Sequence, residues 1–210
     1  MKKINWGIIG LGKIAEKFAD GFNFSEKANL LSVSSLSEAK LKEFKKKYSL
    51  NGEYCFNNYQ DLINCKDVDI VYIALPNSMH FKWILKCLEN HKNTLVEKPA
   101  VMNLYEINEI KELLKKRNIF FSEAFMYRYS PHFIKLIDLI KNNTIGKLSS
   151  IESTFGINVY DSKKIFGITI KKPDLNNRLF NKKLGGGAIL DLGCYPVSLC
   201  TYIYSLISSM

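Results

Sequence analysis

The chain has 210 residues, 47% of them hydrophobic and 24% charged, so it can build one large globular domain or two small ones. Its net charge is +10, but the lysines are scattered (Lys40, Lys42, Lys45 to Lys47, Lys111, Lys115, Lys116), with Glu38, Glu43, Glu109 and Glu112 interleaved. That is the pattern of solvated helix faces, and with no recognised nucleic-acid motif present, nucleic acid is not an expected partner. The N-terminus, Met-Lys-Lys-Ile-Asn-Trp-Gly-Ile-Ile-Gly, begins like a signal peptide. Lys13, Glu16 and Lys17 end its apolar run too soon, and no small-residue cleavage site follows. Ile4 to Ile9 reads instead as a short strand, running into Gly10-Leu11-Gly12-Lys13-Ile14-Ala15 and then a helical pattern through about Phe22. This is G-x-G-x-x-A between a strand and a helix. Gly10 permits the tight turn, Gly12 leaves room for a pyrophosphate against the backbone, and Ala15 lets helix and strand pack closely. The helix start, at Lys13 and Ile14, offers free N–H groups and the positive end of a dipole.

Leu30 to Ser35 reads as a second strand, whose end meets the adenosine ribose in dinucleotide-binding folds. No acid lies between Ser34 and Ser37, and no Arg either; Glu38 is the first carboxylate. The hydroxyls, with Lys40 nearby, favour NADP over NAD. Ser37 caps a helix to about Tyr48, and Tyr59 to Asn64 is a short helical turn. Val68 to Leu75 is a near-continuous apolar run, the mark of a strand covered on both faces, ended by Pro76-Asn77-Ser78. Phe81, Ile84, Leu85 and Leu88 then recur at helical spacing, with His80 at the helix start.

Thr94, Leu95 and Val96 end the next strand and run directly into Glu97-Lys98-Pro99. Pro99 stops a central strand, so the charged pair sits where open α/β sheets bind ligands. These few residues read equally well as a solvated turn or as a partly desolvated, proton-sharing lysine. Asn103 and Glu106 form a capping box for a helix to about Arg117, and Ile119 to Ser122 is one more strand. The alternation stops there, which places a boundary near residue 123. Ser130-Pro131 starts a helix with apolar positions at Phe133, Ile134, Ile137 and Ile140. Gly146 marks a turn, Leu148 to Val159 looks like a long strand, and residues 160–183 read as polar and irregular. Leu184 to Pro196, rich in glycine, leads into an apolar helix ending at Met210. No apolar run approaches the roughly 20 residues of a membrane span. The five cysteines, Cys55, Cys65, Cys87, Cys194 and Cys200, are odd in number and form no C-x-x-C pair, so neither a disulfide framework nor a zinc site is indicated. They fit reduced thiols in a cytoplasmic protein.

Three stretches together resemble the Gfo/Idh/MocA family of NAD(P)-dependent oxidoreductases: Gly10-x-Gly12-x-x-Ala15, Glu97-Lys98-Pro99, and Gly185-Gly186-Gly187-Ala188-x-x-Asp191-x-Gly193-x-Tyr195-Pro196. Pro76-Asn77 with His80, and Arg128 in Tyr-Arg-Tyr-x-Pro, fit the same pattern, and Asp191 four residues before Tyr195 most resembles the branch of trans-dihydrodiol dehydrogenases, D-xylose dehydrogenases and glucose–fructose oxidoreductase. The resemblance implies a Rossmann-type doubly wound parallel sheet over 1–123, followed by an incomplete α+β substrate domain over 124–210. It implies hydride transfer between nicotinamide, as NADP or NAD, and a sugar, polyol or trans-diol carbon. Lys98 would hydrogen-bond the reacting oxygen. Tyr195 would act as general acid/base with its phenol pKa lowered by the ammonium, and Asp191 would orient substrate hydroxyls. Gly10, Gly12, Lys13, Ile14, Ser35, Leu75, Pro76, Asn77, His80, Glu97 and Lys98 would line the cofactor site, and Arg128, Asp191 and Tyr195 the substrate site. Taken singly, Asp191 also reads as a helix-start acid, Tyr195 as a core aromatic, His80 as a structural residue and Arg128 as a surface ion-pair partner. No metal or membrane is implied, and a homo-oligomer through the second domain is compatible. Family members run well beyond this length, so a truncated product that binds NAD(P) without turnover, or a regulator, is the alternative expectation.

Overall fold

A computed structural model describes residues 3–157, 161–165, 168–172 and 177–208, with the backbone alone described for the stretches between 161 and 172. The chain divides into two compact units, Met1–Ala124 and Phe125–Met210.

The first unit is built on six strands: β1 (Ile4–Ile9), β2 (Ala28–Ser34), β3 (Cys55–Phe56), β4 (Ile70–Ile73), β5 (Asn93–Val96) and β6 (Phe121–Glu123). They form one sheet in the order β3-β2-β1-β4-β5-β6, and every pairing is parallel. Between them run α1 (Lys13–Asp20), α2 (Glu38–Lys47), α3 (Tyr59–Asn64), α4 (Asn77–Glu89) and α5 (Leu104–Lys115). Adjacent residues of a strand point to opposite faces, and both faces are covered. Ile8 and its cross-strand partner Tyr72 pack with Leu11, Ala15, Ala19, Val33 and Phe44 on the α1 and α2 side. Ile9, Val71 and Ile73 pack with Leu62, Ile63, Ile84, Leu88 and Ile110 on the α3, α4 and α5 side. This is a Rossmann-type doubly wound sheet. The order reverses between β1 and β4, which is where such sheets bind ligands, at the carboxyl ends of the strands.

Local signals set the helix starts. Ser37 Oγ accepts from Lys40 N at 3.5 Å, Asn58 Oδ1 from Gln60 N at 2.8 Å, and Asn103 Oδ1 from Glu106 N at 3.0 Å. The capping box is shifted by one residue: Glu106 Oε2 reaches back to Met102 N at 2.8 Å, while its Oε1 accepts from Asn103 Nδ2 at 2.9 Å. Asn103→Ala removes both Asn103 contacts and is expected to lower stability by about 1 kcal/mol, read from the urea midpoint at unchanged m-value.

In the second unit, α6 (Pro131–Lys141) begins where Ser130 Oγ accepts from Phe133 N at 3.3 Å. Phe133, Ile137 and Ile140 are buried, but Ile134 is 52% exposed and belongs to the outer face. They pack with Leu199, Tyr202, Ile203 and Leu206 of α7 (Cys194–Ser208). The long strand expected over Leu148–Val159 is not formed: residues 148–157 carry no regular structure, and 158–159 lie outside the described residues. A strand needs a ladder partner, and among the described residues this segment has none. The stretch expected to be irregular instead holds an antiparallel pair, β7 (Asp161–Ile165) with β8 (Ile168–Lys172). The stretch Lys182–Ser208 is, by length and composition only, long and apolar enough to cross a membrane, where the sequence reading expected no such run. Its glycines and Asp191 interrupt the linear pattern, which is why the run is not visible in the sequence.

Candidate functional site

The glycine loop leaves β1 at Gly10. Its φ is +87°, and a Cβ there would lie 2.6 Å from the Ala74 carbonyl oxygen, so both backbone conformation and space demand glycine. Gly10 N donates to Ser34 O at 3.0 Å, tying the loop to the end of β2. Gly12 is the N-cap of α1 and supplies no side-chain cap; a Cβ built on it meets nothing within 4 Å. The helix N-terminus therefore opens onto free space, with Lys13 and Ile14 exposed and Ala15 fully buried beneath. Ser34 Oγ, buried beside the loop, has no hydrogen-bond partner. An open helix start, an obligate glycine turn and an unsatisfied buried hydroxyl fit a dinucleotide phosphate and ribose. Gly12→Asp tests that fit with opposite signs. Its φ of −95° suits an aspartate N-cap, so thermal stability is expected to hold or rise slightly. The carboxylate would oppose a pyrophosphate, and cofactor affinity is expected to fall by at least about 100-fold, near 3 kcal/mol, by fluorescence titration.

At the end of β2, Ser35 is 5% exposed and its Oγ accepts from Ser37 N at 3.1 Å. Beyond β4, Leu75 and Pro76 are half-buried and Asn77, 7% exposed, opens α4.

Beyond β5 lies the segment bearing Lys98, which is half-buried, as is Glu97. Several bonds hold this segment, among them the following. Glu97 N donates to Ile73 O at 3.0 Å. The Tyr72 hydroxyl donates to Glu97 Oε1. The Pro99 carbonyl lies 2.8 Å from His80 Nδ1. Ala100 N donates to Glu123 Oε1 at 2.7 Å. Tyr72 is itself 1% exposed and stacked on Phe18 at 4.0 Å between centroids. Tyr72 and Glu123 were not apparent as site residues. The phenol tip within the apolar run Val-Asp-Ile-Val-Tyr-Ile was the available signal for Tyr72.

His80 stands at the start of α4, as its structural reading has it. It is fully buried, and its Nε2 lies 2.7 Å from the Leu75 carbonyl oxygen. Both ring nitrogens lie at hydrogen-bond distance from backbone carbonyls of two different loops. The loops after β1, β4 and β5 thus bring Gly10, Gly12, Leu75, Asn77 and Lys98 to one end of the parallel sheet.

The second unit carries Asp191 and Tyr195. Asp191 lies in a wide, π-type turn, Ile189–Gly193, directly before α7. Such turns are frequent at functional sites. Its N donates to Gly187 O at 3.0 Å, and its carboxylate, 14% exposed, lies 3.8 Å from Arg178 Nη1, a neighbour that no motif announced. Tyr195 is half-buried among aromatic edges: Phe155 at 5.0 Å, Phe125 at 5.5 Å and Tyr127 at 6.2 Å between centroids. Arg128 is turned onto α7. Its Nη2 donates to Ser198 Oγ at 2.8 Å, and its guanidinium carbon lies 5.3 Å from the Phe125 centroid and 5.2 Å from that of Tyr202. Tyr127 Oη shares the Ser198 hydroxyl at 2.9 Å. Arg128 Nε is buried without a hydrogen-bond partner. The aromatic segment thus fixes the start of α7 one turn after Tyr195.

Comparison with known proteins agrees with this architecture. The profile described as Oxidoreductase family, NAD-binding Rossmann fold, matches residues 4–125, and that of the GFO/IDH/MocA C-terminal domain matches residues 133–210. Among curated relatives, trans-1,2-dihydrobenzene-1,2-diol dehydrogenase of Xenopus tropicalis is 30% identical over 202 residues, covering 95% of this chain and 56% of the relative. D-xylose 1-dehydrogenase (NADP(+)) of Hypocrea jecorina is 31% identical over 207 residues, covering 93% and 51%. Scyllo-inositol dehydrogenase of Lactobacillus casei, solved with NAD(H) and scyllo-inositol, superposes with TM-score 0.64 at 26% identity, covering 69% of this chain and 43% of that one. Aldose-aldose oxidoreductase of Caulobacter crescentus shares the fold with TM-score 0.78 at 22% identity, over 96% and 57%. The chain spans about half the length of the curated relatives it matches. With one profile matching residues 4–125 and the other residues 133–210, the chain belongs to the Gfo/Idh/MocA family of NAD-binding oxidoreductases.

Proposed function

We propose that this chain serves a dehydrogenase or reductase acting on a hydroxyl or carbonyl carbon of a sugar, polyol or trans-diol. The observation that carries the reading is the obligate glycine turn and open helix start at the end of β1, with Lys98 braced at the end of β5 on the same edge of the sheet. A bound nicotinamide dinucleotide supplies the hydride acceptor or donor. Gly12, Lys13 and Ile14 would hold its phosphates through backbone N–H groups beside the turn that Gly10 makes, and Ser35, Leu75, Pro76 and Asn77 would flank it. Lys98 hydrogen-bonds the reacting oxygen. In the oxidative direction the nicotinamide would take the hydride, Tyr195 would take the hydroxyl proton, and Asp191 would orient neighbouring hydroxyls. The stretch after β2, lacking a carboxylate before Glu38, supports NADP over NAD.

Fluorescence titration with NADPH and NADH, followed by a turnover screen over sugars and trans-diols, tests this. Tighter NADPH binding and turnover of at least one diol are expected. Cofactor binding without turnover would reduce the chain to a dinucleotide-binding module, and no binding of either cofactor would remove both readings.

A further inference from the structure

We propose that His80 is a permanently doubly protonated positioning residue whose imidazolium braces the loop after β4 to the loop that carries Lys98. Nδ1 lies 2.8 Å from Pro99 O and Nε2 lies 2.7 Å from Leu75 O. A carbonyl oxygen can only accept, so both contacts require a ring N–H, and neutral imidazole has one. In either neutral tautomer a nitrogen lone pair would face a carbonyl lone pair at hydrogen-bond distance. That contact is repulsive, and with the ring fully buried, water cannot relieve it.

Two effects oppose the charge. Burial disfavours a cation, and His80 lies in the first turn of α4, where the helix dipole is positive. Two charge-assisted bonds work against them, and so do the carboxylates of the braced segment. Glu97 receives the Tyr72 hydroxyl, and Glu123 receives Ala100 N. With Lys98, the ionisable groups of this segment and its braces are two carboxylates and one ammonium, so a positive His80 brings the set to neutrality. Loops after two neighbouring strands, β4 and β5, are thereby pinned through one rigid ring. One precedes Asn77 and the other contains Lys98, so the brace sets the height of Lys98 above the sheet end.

That Lys98 is the group being positioned rests on the function proposed above; the protonation state and the brace do not, and they fail separately. The protein has three histidines, His80, His91 and His132, and the latter two are exposed. In 15N-histidine-labelled protein, with signals assigned through His91→Asn and His132→Asn, His80 is expected to show both ring nitrogens protonated throughout pH 6–8. A neutral-tautomer signature for His80 anywhere in that range overturns the proposal. In His80→Gln, one amide end can donate and the other cannot. Hydrogen exchange at Ala100 N is expected to quicken at least tenfold, with the amides of β1 unchanged. Unaltered protection at Ala100 overturns the brace. Should that variant fail to fold, the nitrogen spectrum of the unmodified protein decides.

Discussion

Lys98→Ala is expected to lower turnover by about 10²–10⁴-fold, the range for removing a group that exchanges or stabilises a proton in the transition state. Cofactor affinity is expected to stay within about tenfold, roughly 1.4 kcal/mol. The separation follows from where the two tasks sit. The phosphate-binding turn belongs to the end of β1, two strands away from β5 in the order β1-β4-β5. The bonds described above through Glu97, Pro99 and Ala100 do not use the Lys98 side chain and survive the substitution. Single-turnover kinetics beside fluorescence titration read both quantities. Undiminished turnover in Lys98→Ala would refute its assignment, and a loss of cofactor affinity equal to the loss of turnover would make Lys98 a binding residue.

The first unit was largely legible because its signals are local. A strand buried on both faces is a short apolar run, and Ser37 and Asn103 cap helices through amides three residues away. The glycine turn is equally local: the need for φ > 0 at Gly10 is written in its own residue type. What escaped the sequence depends on pairs far apart in the chain. Tyr72 meets Glu97 across 25 residues, and His80 joins carbonyls five and 19 residues away. Neither the partner nor the direction of the side chain is encoded in the run that contains it. Over 148–157 no strand forms for the same reason: β-propensity describes the segment, whereas a strand is a property of a pair. In 161–172 the reverse happened. Lysines and an aspartate masked two segments that pair with each other through backbone bonds. For Arg128 the family resemblance suggested a contact with substrate and the residue alone a surface ion pair; the fold adds its guanidinium near Phe125 and Tyr202 and its bond to Ser198.

Gly10→Ala carries the second large expectation, and it is one of stability before binding. At φ +87° a Cβ adds about 1–2 kcal/mol of backbone strain. The same atom would stand 2.6 Å from Ala74 O and 3.0 Å from Ala74 C, backbone that cannot swing aside as a side chain would. Displacing it adds about 1–3 kcal/mol. The sum, about 2–5 kcal/mol, corresponds to a drop of roughly 5–15 °C in Tm for a chain of this size. Cofactor affinity falls with it, because Ala74 precedes Leu75 and Pro76, and pushing it out displaces the far wall of the same site. Gly12→Asp separates the two causes, since there the added atoms enter open space and only binding should suffer. Calorimetry on both variants reads the difference. A Gly10→Ala protein melting within 1 °C of the parent would mean that the turn after β1 does not adopt the left-handed conformation on which the cofactor site is built.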